Sequence, residues 1–161
     1  MLLASDDWAR LRHIRLTALL ESPHTFLATY EQEDGYGEDR WRAEFARGDW
    51  TIGFLDGRPV SLIGTTRETH TPPGQCYIEY LWVAPECRRT GLASSMLTSV
   101  LDRLRAAGVQ TAFLWVLNGN DPATRLYKQL GFVSTNRRQL LPADPTRSEE
   151  LLRLDLPGPA T

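Results

Sequence analysis

Apolar residues recur every three or four positions in four parts of the chain, and this spacing places side chains on one face of a helix. The first helix is predicted to be capped by Ser5, with Asp6 and Asp7 at the positive end of its dipole, and to stop before Pro23. Glycines end the other three, since glycine readily adopts the left-handed conformation that closes a helix. The predicted helices cover about residues 6–20, 38–47, 91–107 and 121–130.

Between these segments the pattern changes to the alternation of apolar and polar residues that is typical of strands. Asp56-Gly57 favours a tight turn, so the strands on either side should form a hairpin. Residues 111–117 are almost wholly apolar, which predicts a strand buried on both faces. The predicted strands cover about residues 1–3, 49–55, 59–67, 75–83, 111–117, 132–139 and 150–156. Residues 24–39 show neither a helical nor a strand-like pattern and are left unassigned. The order of the predicted helices and strands indicates a mixed α/β sheet with helices packed against it.

The composition indicates one globular domain, since 161 residues with 42% hydrophobic and 24% charged side chains can build a core without disulfides. We expect the domain over residues 1–156, followed by a flexible tail over 157–161. The net charge of −2 argues against nucleic acid or a membrane surface as partner. The absence of a secretory signal or long apolar run, with two cysteines expected as free thiols, favours the cytoplasm. Three scattered histidines predict no metal site.

The most informative stretch joins the strand that ends at Val83 to the helix that begins at Gly91. Small residues at Gly91 and Ala93 expose backbone N–H groups along the helix dipole, which is an arrangement that binds phosphate-type anions. Arg88 and Arg89 add permanently charged donors. An ordinary helix start with two solvated arginines is the alternative, and the ATP-type phosphate loop is excluded because no Gly-Lys-Ser/Thr follows.

Arg88-x-x-Gly91-x-Ala93, preceded by Val83-x-Pro85, resembles the acyl-CoA pyrophosphate loop of the GNAT superfamily of N-acetyltransferases. Asn120-Asp121-Pro122-Ala123 and Tyr127-x-x-x-Gly131-Phe132 are similar to the second half of that family's signature and follow at the right distance. The resemblance covers about residues 61–133. Ala93 stands where a final glycine is commoner, and Thr90 where a basic residue is frequent.

The resemblance implies a mixed, mostly antiparallel sheet of about six to seven strands, flanked by about four helices. The strands at 75–83 and 111–117 would splay apart and open a cleft for acetyl-CoA, with no metal involved. Asn118 and Asn120 could bind the pantetheine amides, although a loop turn and a helix cap are the alternatives. The expected acetyl-CoA contacts are Leu81, Trp82, Val83, Arg88, Arg89, Thr90, Gly91, Leu92, Ala93, Ser94, Asn118, Asn120, Ala123 and Tyr127.

Two residues are candidates for the proton movements of acetyl transfer. Tyr127 occupies the position of the family's tyrosine acid beside the sulfur; packing against Phe132 is the alternative. Glu79 is the candidate base, because strand parity with Leu81 and Val83 would turn its carboxylate toward the cleft. Recognition of a cationic amine and a salt bridge that braces the sheet are the alternatives for Glu79.

The acceptor amine has no signature in the sequence. A small primary amine is the preferred hypothesis, against a protein lysine or N-terminal amine and against a catalytically silent acyl-CoA-binding domain. Residues 24–41 and 70–74 are expected to form the acceptor pocket. The acidic run between residues 31 and 39 could attract a cation, but is interpreted mainly as solvated surface. Whether the chain forms a homodimer stays open.

Overall fold

The computed structural model describes residues 1–4 and 6–157, and the order of hydrogen-bonded strands in its six-stranded sheet is β1-β2-β3-β4-β6-β5. The strands are β1 Gly48–Leu55, β2 Arg58–Thr66, β3 Gln75–Val83, β4 Thr111–Leu117, β5 Val133–Leu141 and β6 Asp144–Asp155. The helices are α1 Trp8–Glu21, α2 Tyr30–Asp34, α3 Glu38–Ala46, α4 Leu92–Ala106 and α5 Asp121–Gln129, with a 3₁₀ turn at Pro85–Cys87. Neighbouring strands are antiparallel except β3 and β4, which are parallel.

The predicted class of fold is confirmed, with local corrections. Residues 1–3, predicted as a strand, contribute only an isolated bridge from Leu2 to Thr51. The described residues contain five α-helices rather than about four, because a capping box between Thr29 and Gln32 starts α2 in the segment left unassigned. Gly48 opens β1 instead of ending α3. β6 begins at Asp144, six residues before the predicted strand. The predicted cap Ser5 and the tail residues 158–161 lie outside the described residues.

Helices cover both faces of the sheet, and each face has its own apolar core. On one face, α4 and α5 bury residues such as Leu97 and Val100 against the strands. On the other face, α1 and α3 bury Trp41 and Trp50. The sheet is therefore the middle layer of three, and a gap between two of its strands can be reached by groups from both layers.

Such a gap opens between β3 and β4. Their parallel pairing is limited to Gln75 with Thr111, Cys76 with Ala112, and Tyr77 with Phe113, after which the strands separate. The family resemblance implied this splayed pair. β4 is buried on one face only, through Leu114 and Val116, so the prediction of two buried faces was wrong. Trp115 is half-buried because its face borders the gap.

A bulge bends β3 where the strands separate. Gly64 of β2 pairs with Glu79 and Leu62 pairs with Trp82, so β3 carries one extra residue. Tyr80 takes a left-handed backbone conformation there, with φ of 59°. The extra residue changes which face of the sheet the following side chains meet.

Candidate active site

The gap between β3 and β4 is part of a cleft of about 730 Å³. Its walls come from β3, the loop into α4, the end of β4, α5, and the segment after α1. The predicted site residues that line it are Glu79, Leu81, Trp82, Val83, Arg88, Arg89, Gly91, Leu92, Ala93, Ser94, Asn120, Ala123 and Tyr127. The fold thus brings most of the candidates to one cavity, and Thr90 and Asn118 are outside its lining.

The loop before α4 presents free backbone donors to the cleft. Gly91 is the N-cap with φ of 84°, and the first bond of the helix runs from the Ser95 N–H to the Gly91 carbonyl. The N–H groups at the start of the helix consequently have no partner within it. A Cβ added to Gly91 would meet no atom within 4 Å, so this position faces open space. The geometry is that of an anion site at a helix N-terminus.

Arg88 and Thr90 shape this loop from within. The Arg88 side chain donates to the Val83 carbonyl from Nε (2.9 Å) and to Ser22 Oγ from Nη2 (3.0 Å). The Thr90 hydroxyl donates to the Cys87 carbonyl at 2.7 Å. Arg88 therefore braces the end of β3 against α1, while the Arg89 side chain remains available to an anion.

The two asparagines differ in what they contact. Asn118 Nδ2 donates to Ser148 Oγ at 2.5 Å, which ties it to β6 and away from the cleft. Asn120 Oδ1 accepts from the Ala123 N–H at 3.3 Å and caps α5 while lining the cleft. The capping alternative is thus observed for Asn120, whereas the Asn118 side chain contacts β6.

Tyr127 lies in the cleft wall with 8% of its surface exposed. Its ring packs edge-on against Phe132, with 5.9 Å between the ring centres. Burial raises the pKa of Tyr127 to about 12, because the phenolate form would lose its hydration. The residue is therefore a neutral phenol at pH 7, able to donate a hydrogen bond.

Glu79 also lines the cleft, but for a different reason from the predicted one. The bulge at Tyr80 breaks the parity with Leu81, so Leu81 packs toward α4 and α5 whereas Glu79 turns toward α3. Arg47 Nη2 donates to Glu79 Oε2 at 2.8 Å. Burial raises the pKa of Glu79, and the Arg47 charge partly opposes that shift.

A buried polar network behind Glu79 was missed by the sequence analysis. Arg15 forms a bidentate pair with Glu33, at 2.8 and 2.9 Å, and its guanidinium lies over the Tyr80 ring at 3.8 Å. The Tyr80 hydroxyl donates to Glu44 at 2.7 Å, and Glu44 pairs with Arg47 at 3.3 Å. These contacts fix the bulge and the Arg47 side chain next to Glu79.

The acidic run between residues 31 and 39 does not line the cleft. Glu33 is buried against Arg15, and Asp34 and Glu38 form surface pairs with Arg12 and Arg42, both at 2.7 Å. Within residues 1–4 and 6–157 there is no cluster of three potential metal ligands. No helix of the described chain is long and apolar enough to cross a membrane.

The segment after α1 borders the cleft through Ser22 and residues 25–27, which belong in part to the expected acceptor segment 24–41, whereas residues 70–74 do not line the cleft. Glu149 of β6 lines the cleft as well and had no signal in the sequence. Both segments reach the cleft through contacts distant in the chain: Arg88 binds Ser22, and the side chain of Arg147 in β6 donates to the backbone carbonyl of His24.

Comparison with known proteins points to one family. Residues 8–132 match the model of the Acetyltransferase (GNAT) family. A mycothiol acetyltransferase of Nocardiopsis dassonvillei is 33% identical over 107 residues, which are 66% of this chain and 27% of that protein. A ribosomal protein bS18-alanine N-acetyltransferase of Escherichia coli is 35% identical over 71 residues, or 44% of this chain and 48% of that protein. The chain thus spans half or less of the length of these curated relatives.

Solved structures share the fold over nearly the whole chain. A putative acetyltransferase from Salmonella typhimurium, solved with its cofactor acetyl-CoA, has a TM-score of 0.76 and 17% identity. It covers 100% of this chain and 96% of its own. The ribosomal-protein-S18-alanine N-acetyltransferase of Escherichia coli has a TM-score of 0.69 and 20% identity, with the same coverage.

Proposed function

The chain belongs to the GNAT family of acetyltransferases, and on that premise we propose that it transfers an acetyl group from acetyl-CoA to a small primary amine. The observation that carries the proposal is the cleft itself. At one end it has a helix N-terminus with Gly91, and its walls carry a neutral phenol and a carboxylate. Anion binding, hydrogen-bond donation and proton acceptance are the three tasks of the reaction.

We expect acetyl-CoA to lie along this cleft. The free N–H groups at the start of α4 and the Arg89 guanidinium suit its pyrophosphate. Beyond Tyr77, β3 has no strand partner on the β4 side, so its backbone can pair with the amides of the pantetheine arm as with an added strand. Leu81, Trp82 and Val83 form that part of the wall, with Asn120 and Ala123 opposite.

Transfer requires that the amine nitrogen attack the thioester carbonyl carbon. The carbon–nitrogen bond forms, the carbon–sulfur bond breaks with its electron pair moving to sulfur, and the amine loses a proton. An aliphatic amine has a pKa near ~10.4, so a base that removes this proton is useful at neutral pH. Glu79 is assigned this role, directly or through a water.

Tyr127 is assigned to the sulfur as a hydrogen-bond donor. The pKa of Tyr127 is raised to about 12, well above the ~8.5 of a simple thiol, so complete proton transfer to the thiolate would be uphill. A hydrogen bond that strengthens as charge builds on sulfur costs no such transfer.

A protein N-terminus is the second candidate acceptor, supported by the Escherichia coli relative that is named for a ribosomal alanine. The small amine is favoured because residues 22–27 border the cleft and are tied to it by contacts from Arg88 and Arg147.

Release of free CoA thiol from acetyl-CoA in the presence of an amine panel tests the function. The panel should contain short aliphatic amines, amino-acid derivatives and a peptide with an N-terminal alanine. We expect turnover with at least one small amine and slower turnover with the peptide. Tight acetyl-CoA binding with no turnover on any amine would instead identify a silent acyl-CoA-binding domain.

A pH profile tests the role of Glu79. A carboxylate base works deprotonated, so kcat/KM should rise through the pKa of Glu79 and be lost as pH falls below it. Glu79→Gln should abolish this rise of kcat/KM with pH and slow the reaction at neutral pH. The rate of the variant should recover in part at alkaline pH, where more of the amine is unprotonated. Arg47→Gln removes the charge that lowers this pKa, so the rise should move to higher pH.

Other charged groups near Glu79 are Glu44 on α3 and Glu68 after β2, and both raise its pKa. Arg10→Gln, on the exposed face of α1, is the matched control and should leave the profile in place. A raised KM with normal kcat in Glu79→Gln would assign recognition instead, and a lowered melting temperature with normal kinetics would assign a structural brace.

A further inference from the structure

Glu149 is a second carboxylate of the cleft and has no role in the reaction described so far. It lies in the middle of β6, with 4% of its surface exposed, and lines the cavity. Register places it opposite Leu117 of β4 and Gln139 of β5.

The Glu149 carboxylate forms no ion pair among the residues that the structure describes. Gln139 Nε2 donates to its Oε1 at 2.6 Å. Its neighbour Glu150 has Arg138 at 3.8 Å, whereas no basic side chain of the described chain lies within 4.0 Å of Glu149. A carboxylate that faces the cleft with one hydrogen-bond donor and no ion pair can be stabilised by a cationic ligand that enters the cleft.

The other carboxylate of the cleft is already neutralised. Glu79 receives the Arg47 guanidinium at 2.8 Å. A cationic group entering the cleft is therefore drawn to Glu149 rather than to Glu79.

The two carboxylates share one face of the sheet, with Trp115 between them. Tyr77 and Phe113 are paired and stack on this face with ring centres 5.6 Å apart. Glu79 and Trp115 are each two residues further along their strands, and Trp115 is opposite Leu151, two residues after Glu149. Strand spacing of about 4.8 Å and a rise of about 3.3 Å per residue give a lower bound of roughly 12 Å between the backbones of Glu79 and Glu149, because β3 and β4 have already begun to separate there.

We propose that Glu149 binds a second, positively charged group of the acceptor, and that the acceptor is a small aliphatic diamine. The inference rests on the proposed acetyl transfer. The nitrogen that attacks must be neutral, so the charge held by Glu149 belongs to a different nitrogen of the same molecule. Phe26, Leu27 and Trp115 supply apolar cleft surface that suits the methylene chain joining the two nitrogens.

The test compares 1,4-diaminobutane with butylamine, which has the same chain and one nitrogen fewer. In the wild type, kcat/KM for the diamine should exceed that for butylamine about tenfold or more, the worth of one charge-assisted hydrogen bond. Glu149→Gln should bring the ratio close to one, and Glu149→Asp should keep part of the preference. Glu150→Gln is the matched control, because that side chain bonds Ser134 at 2.5 Å and is outside the cleft lining; it should keep the full ratio.

Equal rates for both amines in the wild type, or an undiminished ratio in Glu149→Gln, would overturn the proposal. Preference for a basic peptide over the diamine would overturn the assignment to a small acceptor. If neither amine is acetylated, the proposed function is in question. Calorimetric titration of both amines into the protein with CoA then tests diamine binding at Glu149 independently of turnover. Diamine binding that Glu149→Gln abolishes supports the proposal, and binding that is equal in wild type and variant contradicts it.

Discussion

Gly91→Val is expected to lower the affinity for acetyl-CoA by at least about 100-fold. A valine here would place its methyl groups in the open space before α4, where the pyrophosphate must approach the backbone N–H groups. Loss of two charge-assisted hydrogen bonds, at about 1.5–3 kcal/mol each, accounts for a change of this size or more. Calorimetric titration with acetyl-CoA measures it.

Gly108→Val is the matched control at the other end of the same helix. Gly108 also has a positive φ, 74° against 84° for Gly91, and open space around its Cβ position. Both variants thus carry similar backbone strain, since a β-branched residue is disfavoured in the left-handed region. Both variants should have a lower melting temperature than the wild type, and only Gly91→Val should lose affinity for acetyl-CoA. Unchanged affinity in folded Gly91→Val would remove the loop from the binding site.

Elements with strong local signals were predicted to within about a residue. α4 has an apolar stripe over four turns between two glycines, and both glycines have the positive φ that their positions require. Asp56-Gly57 likewise forms the turn between β1 and β2, with φ of 50° and 77°. In these cases the residues that determine the structure are adjacent in the chain.

The bulge in β3 lacked such a signal. Tyrosine is a good strand residue and rarely takes a positive φ, so an alternating pattern through Tyr80 was the natural prediction. The bulge is stabilised instead by groups distant in the chain, since the Arg15 guanidinium stacks on the Tyr80 ring and Glu44 accepts a hydrogen bond from the Tyr80 hydroxyl. The alternation of side chains between the two sheet faces is therefore interrupted at Tyr80. The prediction that Glu79 and Leu81 share a face was wrong for this reason.

The burial of two charged side chains could not be predicted from the sequence either. Glu33 belongs to an acidic run that is typical of solvated surface, yet it is 4% exposed because Arg15, also buried, faces it from α1. Glu149 reaches the cleft because β6 lies beside β4, and no local pattern encodes that pairing. Tyr127 was identified through a motif, whereas the acceptor side of the cleft is assembled from separate segments.

Tyr127→Phe is expected to lower kcat by about 10–100-fold while leaving acetyl-CoA affinity nearly unchanged. The substitution keeps the ring that packs against Phe132 and removes the hydroxyl that would donate to the departing sulfur. A hydrogen bond to a charged group contributes about 1.5–3 kcal/mol, which sets the range, and a thiolate is a good enough leaving group to favour the lower half. Single-turnover measurement of CoA thiol release reports this step directly.

Tyr77→Phe is the matched control, because Tyr77 stacks on Phe113 in the same sheet but does not line the cleft. It should keep the wild-type kcat. The phenol of Tyr127 is neutral throughout the working range, since its pKa is raised to about 12, so the loss in Tyr127→Phe should be the same at pH 7 and pH 9. A defect that vanished at pH 9 would point to a group titrating between these values. Loss of acetyl-CoA affinity with normal turnover of the bound complex would show that Tyr127 is a packing residue.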